Sequence, residues 1–148
     1  MTLRLAVGVA LAALTATPVM SQVRKQEMSG IRNYSRVDAT VGCGGAVEPS
    51  AIAGLKKEGF VSVINLRQAS EEGANVVVES VLAAVADRNN QPVFIHCGSA
   101  NRVGGMWMIK RALQDQWPIE KALAEAQASG LNNPALTAFA TEYINTHR

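Results

Sequence analysis

One short stretch, residues 96–102, combines residue types that could bind and attack a small anion. It begins with His96-Cys97, ends with Arg102, and has four small residues between Cys97 and Arg102: Gly98, Ser99, Ala100 and Asn101. A thiolate is a strong nucleophile, and a planar guanidinium can hold two oxygens of a phosphate or sulfate at once. Small residues let successive backbone N–H groups turn toward one anion. The stretch therefore predicts an anion-binding loop.

The elements on either side of this loop are those that such a site needs. Val93–His96 is an apolar, β-branched run that predicts a buried strand, and the chain becomes helical in pattern from Val103. Ligands of open α/β sheets bind outside the carboxyl ends of the strands, where a helix N-terminus attracts negative charge. The alternative is a buried structural cysteine beside a turn, with Arg102 solvated at a helix start.

The other predicted strands and helices alternate along the chain. Apolar and polar residues alternate over residues 31–37, which predicts a short strand, and Val41 is a candidate for a second one. Gly42-Cys43-Gly44-Gly45 predicts a turn. The apolar run 60–66 predicts a strand buried on both faces. Helices are predicted from Pro49 to Gly59, over 75–88, from Val103 to the Trp117-Pro118 break, over 118–128 and over 134–146. This order predicts an α/β fold, a three-layer sandwich whose small, mainly parallel sheet has three or four strands.

The N-terminus has the pattern of a secretory signal peptide over residues 1–21. Arg4 precedes an apolar run, and Val19 and Ser21 occupy the −3 and −1 positions of a cleavage site before Gln22. The apolar run is shorter than the ~20 residues that a membrane-spanning helix needs, so the alternative of a membrane anchor is disfavoured. We expect a periplasmic or secreted protein with one domain, residues 22–148, and no stable membrane insertion after cleavage.

Charge and cysteine content narrow the function classes. Arg4 is the only charged residue in 1–21, so the mature chain has 13 basic and 12 acidic residues and a net charge of +1. A nearly neutral domain has no electrostatic footprint for nucleic acid. Cys43, Cys97 and the two histidines lack the close paired spacing of structural zinc sites, so we expect no metal or other cofactor.

Two segments together carry a resemblance to a known family. Residues 59–67, which read Gly-Phe-Val-Ser-Val-Ile-Asn-Leu-Arg, and residues 92–97 with Arg102 resemble the bacterial dual-specificity-like phosphatase domains, found alone or fused to β-lactamase-like hydrolases. The resemblance covers residues 30–145 and implies a cysteine-phosphatase-like fold. It implies that Cys97 attacks phosphorus to form a phosphocysteine, that Arg102 holds phosphoryl oxygens together with the loop 98–101, and that His96 orients the loop and keeps the thiol ionised. The implied partner is a phosphorylated small molecule or protein.

The sequence departs from that family in three places. The familiar loop is one residue longer between Cys and Arg, and it is followed by Ser or Thr, where this chain has Val103. Residues 68–92 are too few for the extra strand and Asp-bearing loop of relatives, and the only Asp in them, Asp87, has a helical setting. Glu71 and Glu72 are the remaining candidates for a general acid, which stays unassigned.

Two other functions fit the loop. A loop of four residues between Cys and Arg is also typical of rhodanese-like sulfurtransferases, in which Cys97 would carry a persulfide. The missing acid would suit a non-catalytic module that binds phosphate or a phosphorylated ligand. A further hypothesis is a reversible disulfide between Cys43 and Cys97, because an exported protein meets oxidising conditions.

Overall fold

The computed structural model describes residues 23–67 and 78–148, and within them five strands form one sheet in the order β1-β2-β3-β5-β4. The strands are β1 (Arg24–Lys25), β2 (Ser35–Arg36), β3 (Val41–Gly44), β4 (Ser62–Asn65) and β5 (Val93–His96). Strands β3, β5 and β4 are parallel, whereas β1 and β2 add to the β3 edge in antiparallel pairing. All four residues of β5 are buried, as expected for an apolar strand with a neighbour on each side.

Five α-helices accompany the sheet in the described residues: α1 (Ile52–Lys57), α2 (Val78–Ala86), α3 (Asn101–Leu113), α4 (Ile119–Ala128) and α5 (Pro134–His147). Short 3-10 turns, Pro49–Ala51 and Arg88–Asn90, precede α1 and β5. The start of α5 is set by its sequence, because the Asn133 carboxamide accepts the N–H groups of Ala135 and Leu136 and Pro134 occupies the first turn. None of the described helices has the length and hydropathy to cross a membrane.

Apolar side chains fill both faces of the sheet. On one face Phe94 packs with Phe60 and with Leu55 of α1. On the other face Ile95 packs in a cluster with Val85 of α2 and with residues of α3. A further cluster joins α3, α4 and α5. The predicted three-layer α/β sandwich is therefore confirmed, and its sheet has five strands rather than three or four.

The prediction of a turn at residues 42–45 is wrong, because Val41–Gly44 forms the buried strand β3. The glycines serve packing there instead of chain reversal. A Cβ at Gly42 would lie 2.4 Å from Cζ of Phe60, and one at Gly44 would lie 3.0 Å from Cζ of Phe94. Large rings thus rest directly on the β3 backbone, which only residues without a side chain allow.

The strand predicted over residues 60–66 is also corrected. It forms only from Ser62 to Asn65, it is last in the sheet order, and it is not buried on both faces, since Val61 and Val63 are 63% and 42% exposed. Of the predicted strand 31–37 only Ser35–Arg36 forms a strand, and Ile31 forms isolated bridges with Met28 and Val47. The helix expected from Val103 begins earlier, at Asn101.

The end of α3 away from the sheet's carboxyl edge is held by a cluster centred on Arg111. Its guanidinium bonds to Glu125 of α4 at 2.6 Å and to Asp38 of the β2–β3 turn at 3.1 Å. The same guanidinium lies over the rings of Trp107 and Trp117, 4.6 Å and 4.5 Å from their centroids. The Trp107 indole N–H donates to the buried Glu125 carboxylate at 2.9 Å. This cluster joins two helices and a turn.

Candidate active site

Cys97 lies immediately after β5, at the carboxyl edge of the parallel strands, as the sequence predicts. Its side chain is 1% exposed, and its backbone N–H donates to the Gly44 carbonyl of β3 at 3.3 Å. This bond continues the β3–β5 ladder, in which Gly44 pairs with His96. Cys97 is therefore anchored to the buried strand β3, whereas the residues after it form the loop.

Cys97 and the three residues after it connect β5 to α3 in a tight turn. Ala100 is fully buried in a left-handed conformation, with φ of 73°, and its carbonyl accepts the Gly104 N–H at 2.9 Å. The first N–H groups of a helix have no acceptor within the helix. The amides of Asn101, Arg102 and Val103 are therefore the donors that an anion bound at this helix N-terminus would use.

Two neighbouring segments hold one side of the loop. The N–H of Ala46 donates to the Gly98 carbonyl at 3.1 Å, and the side chain of Asn33 donates to the Ser99 carbonyl at 3.3 Å. Gly45 passes so close that a Cβ there would lie 3.0 Å from the Gly98 oxygen. The sequence analysis missed Asn33, and no local pattern marks it, because it contacts the loop only through the tertiary fold.

Arg102 lies in the first turn of α3, within reach of the sheet edge. Its Nη1 donates to the carbonyl of Leu66, the residue that follows β4, at 3.0 Å. The Leu66 N–H in turn donates to the carbonyl of His96 at 2.7 Å. The guanidinium is thus oriented by the carboxyl end of β4, next to the strand that carries Cys97. The structure brings Cys97 and Arg102 together at one edge, as predicted.

His96 is buried at the end of β5, with its ring stacked on Phe94 at a centroid distance of 6.3 Å. Burial lowers the pKa of His96 below its ordinary value of 6.5, and the charge of Arg67 lowers the pKa further, although backbone groups of Cys97 and Gly45 partly oppose this. A neutral ring is therefore favoured at neutral pH. Any help that His96 gives to the thiolate then comes from hydrogen bonding or orientation of the loop.

Cys43 occupies β3, on the same side of the sheet as Cys97, in one apolar cluster. Both thiols are free in this structure, so the hypothesised disulfide is not formed. Burial raises the pKa of Cys43 to about 12, and its thiol donates to the Ser129 carbonyl at 3.8 Å. A thiol with that pKa is unreactive near neutral pH. Of the two cysteines, Cys97 is the candidate nucleophile.

Of the carboxylates Asp87, Glu71 and Glu72 that the sequence analysis considers, the structure describes only Asp87. Asp87 accepts the N–H of Asn89 at 2.8 Å, in the turn that leads into β5 at the opposite end from Cys97. Glu71 and Glu72 lie outside the described residues. No group of three or more metal-ligating side chains in residues 23–67 and 78–148 could hold a metal ion.

Comparison with solved structures finds proteins with a similar fold. The chain is similar to TpbA of P. aeruginosa, with 19% identity and a TM-score of 0.66 over 89% of this chain and 94% of that chain. It has the fold of the cysteine phosphatases. Tk-PTP is 13% identical with a TM-score of 0.65, and the alignment covers 78% of this chain and 97% of that one.

A third neighbour is a core catalytic domain. This is the PP-IP phosphatase SIW14 of S. cerevisiae, at 17% identity and a TM-score of 0.63, covering 82% of this chain and 89% of that chain. No protein-family model and no curated protein sequence matches the chain. The cysteine-phosphatase fold that the sequence resemblance implies is thus confirmed from structure.

Proposed function

We propose that this protein is a cysteine-dependent phosphatase of the tyrosine or dual-specificity type, acting on phosphate monoesters. One observation carries the proposal: Cys97 ends the central parallel strand, and Arg102 lies in the first turn of the helix that follows, with its guanidinium bonded to the end of the neighbouring strand. A nucleophile, a helix N-terminus and a guanidinium then surround one oxyanion.

The reaction that this geometry supports has two displacements at phosphorus. The Cys97 thiolate forms an S–P bond as the P–O bond to the leaving group breaks, and the leaving oxygen takes the bonding electron pair and then a proton from solvent water. Water then attacks the phosphocysteine, which releases inorganic phosphate and restores the thiolate. Arg102 and the N–H groups of the loop stabilise the charge on the phosphoryl oxygens in both steps.

The structural neighbours support phosphorylated substrates without identifying one. A variant of TpbA was crystallised in complex with pTyr, and SIW14 is described as a PP-IP phosphatase crystallised in complex with citrate. These ligands belong to those proteins. For this chain we propose a phosphorylated small molecule or protein as the substrate, bound with its phosphoryl group against Cys97.

The deciding experiment compares two reactions in three proteins. Residues 22–148 and the Cys97→Ser and Cys43→Ala variants are assayed with an aryl phosphate, and with thiosulfate plus cyanide. We expect aryl phosphate hydrolysis in the first protein, its loss in Cys97→Ser, and its retention in Cys43→Ala, because the Cys43 thiol is buried in the core. Cys97-dependent thiocyanate formation without phosphate release would instead assign a sulfurtransferase.

A non-catalytic phosphate-binding module is the second candidate, and the position of Asp87 favours it. That carboxylate is used in the turn before β5 and lies away from Cys97. If the purified protein binds inorganic phosphate in an Arg102-dependent manner but releases none from any aryl phosphate, this candidate replaces the enzyme.

The apolar N-terminal run supports a further proposal, that the protein is exported and acts in the periplasm or outside the cell. The test is mass spectrometry of the protein from a periplasmic extract, which should show a new N-terminus near Gln22. Intact Met1 in a cytosolic fraction would contradict export.

A further inference from the structure

The turn that joins α4 to α5, residues 129–133, packs directly against the anion-binding loop. Gly130 has a φ of +118°, and a Cβ on it would lie 2.9 Å from the Ala100 methyl group. Leu131 is 2% exposed, and a Cβ on Gly104 would lie 2.7 Å from the Leu131 Cβ. The α4–α5 turn therefore contacts both the loop and the first turns of α3.

The Asn101 side chain uses all four of its hydrogen-bonding positions, three toward the α4–α5 turn and one toward Ser99 of the loop. Its Oδ1 accepts the N–H groups of Asn132 and Asn133 at 2.7 Å and 2.8 Å. Its Nδ2 donates to Asn132 Oδ1 at 2.9 Å and to Ser99 Oγ at 3.2 Å. A carboxamide has two donors and two lone pairs on oxygen, and all four are used here. The Asn101 side chain is thus committed to the protein and not to a ligand.

The α4–α5 turn is itself fixed, so it is a firm anchor. The Asn133 carboxamide caps α5 by accepting the N–H groups of Ala135 and Leu136, and Ser129 donates to the Glu125 carbonyl at 2.9 Å at the end of α4. Both ends of the turn are therefore tied to helices.

Asn101 directly follows the most strained residue of the loop. That residue is Ala100, whose left-handed backbone is unfavourable for a residue with a Cβ. The bond from Asn101 to Ser99 spans Ala100, and its bonds to Asn132 and Asn133 fix the backbone just before Arg102. Without these bonds the loop could relax out of the left-handed turn, and the N–H groups of residues 98–102 would no longer converge.

We propose that Asn101 is a positioning residue, which locks the Cys97 loop onto the α4–α5 turn in the conformation that binds an oxyanion. The inference rests on the phosphatase function proposed above, because it concerns the same anion site. In this role Asn101 contributes its backbone N–H to the anion, whereas its side chain sets the direction of that N–H and of its neighbours.

The test uses residues 22–148 with Asn101→Ala, Asn132→Ala and a matched control, Asn90→Ala. The Asn90 side chain also bonds to the backbone, since it donates to the Ala84 carbonyl at 2.9 Å, but it does so at the opposite end of β5. Two quantities are measured on folded protein: the Kd of inorganic phosphate by calorimetry, and the rate of iodoacetamide alkylation at Cys97 at one pH, followed by mass spectrometry so that Cys43 is counted separately.

Asn101→Ala should raise the phosphate Kd by about tenfold or more, since several bonds that orient the donors are lost. It should also change the rate of alkylation at Cys97, because the loop around the sulfur loses its aligned N–H groups. Asn132→Ala removes only one of the four bonds and should shift both quantities in the same direction by less. Asn90→Ala should lower the melting temperature and leave both unchanged.

An unchanged phosphate Kd and alkylation rate in Asn101→Ala would overturn the proposal. If that variant does not fold, unchanged values in Asn132→Ala would overturn it instead, and this variant keeps the two bonds from the backbone N–H groups of residues 132 and 133 to Asn101. Failure of the proposed function gives a different result. The unaltered protein would then bind no phosphate, while the alkylation rates would still report whether Asn101 orients the loop around Cys97.

Discussion

Arg102 is positioned by the helix on which it lies and by a hydrogen bond from its Nη1 to the Leu66 carbonyl. A planar guanidinium is shaped to hold two oxygens of a phosphoryl group. Arg102→Lys keeps the charge and loses this two-pronged geometry. We expect it to weaken vanadate or phosphate binding by about 100-fold, within the range for a lost bidentate, charge-assisted pair.

The measurement is a vanadate titration of Arg102→Lys, with Arg88→Lys as the matched control. Arg88 lies in the 3-10 turn before β5, away from Cys97. Full retention of vanadate affinity in Arg102→Lys would show that Arg102 does not line the site. Equal losses in both variants would mean that the effect is general and not local.

His96 should make the fold less stable in mild acid. Burial lowers its pKa in the folded protein below the ordinary value of 6.5, so the unfolded chain binds the proton first as pH falls. The contribution of His96 to the free energy of unfolding is therefore lost as the pH falls from about 6.5 to the lowered folded pKa. Above that range the free energy of unfolding is unaffected by this group. Urea unfolding of the protein and of His96→Asn at pH 7.5 and pH 5 measures the difference.

The decrease in stability between these two pH values should be smaller in His96→Asn than in the unaltered protein. Contributions from the other titrating groups are common to both proteins and cancel in the comparison. Equal decreases would show that the His96 ring is as easily protonated in the folded state as in the unfolded chain.

The sequence predicted the residues at the centre of the candidate site, but not the residues that hold the loop in position. Cys97 and Arg102 could be recognised because their types, their spacing and the strand before them are local features. Asn33 and Asn132 bond to the loop from positions 66 and 31 residues away along the chain. Such contacts have no local signature, so a single sequence does not reveal them.

At the scale of elements, the glycines of β3 and α1 give a contrasting pair of substitutions. Gly42→Ala places a methyl group 2.4 Å from the Phe60 ring, whereas Gly54→Ala meets only the Met28 sulfur at an ordinary 3.6 Å. We expect Gly42→Ala to destabilise the protein by about 1–3 kcal/mol through overpacking. Gly54→Ala should stabilise it by about 0.5–1 kcal/mol, because α1 gains helix propensity.

Chemical denaturation of both variants checks this pair. If Gly42→Ala proved as stable as the unaltered protein, the Phe60 ring would have room to move, and the close packing of rings on β3 would not be what requires glycine there. A loss of stability in Gly54→Ala would show that α1 does not tolerate a side chain at that position.

Local patterns located several elements but failed at β3. Strand β5 and helices α3, α4 and α5 follow from apolar periodicity and from Pro and Asn at their starts, and their first residues were predicted to within two residues. Strand β3 was not, because its glycines have the signature of a turn when read alone. The rings that explain them come from Phe60 and Phe94, which are distant in sequence.

At the scale of the whole molecule, the proposed phosphatase activity should depend on whether the short segment 68–92 supplies a general acid. If it supplies no general acid, the leaving group must carry its own negative charge. Acid assistance is typically worth ~100- to 10,000-fold, so kcat/KM should fall steeply as the leaving group becomes more basic. Aryl phosphates should react slowly and alkyl phosphates such as phosphoserine scarcely at all.

A series of aryl and alkyl phosphates at one pH measures this dependence, and it is repeated with Glu71→Gln and Glu72→Gln. A rate nearly independent of the leaving-group pKa would refute the idea that an acid is missing. If one Gln variant then restored the steep dependence, that glutamate would be the acid.

The Arg111 cluster allows unfolding to be followed by intrinsic tryptophan fluorescence. The chain has two tryptophans, and one guanidinium lies over both of their rings. Unfolding separates all three groups, so a single red shift in tryptophan emission should follow the denaturation experiments without any added dye. Trp107 also packs in the same cluster as Cys97, whereas Trp117 does not. Any change in emission when an oxyanion is added should therefore originate from Trp107, and it should persist in a Trp117→Phe variant.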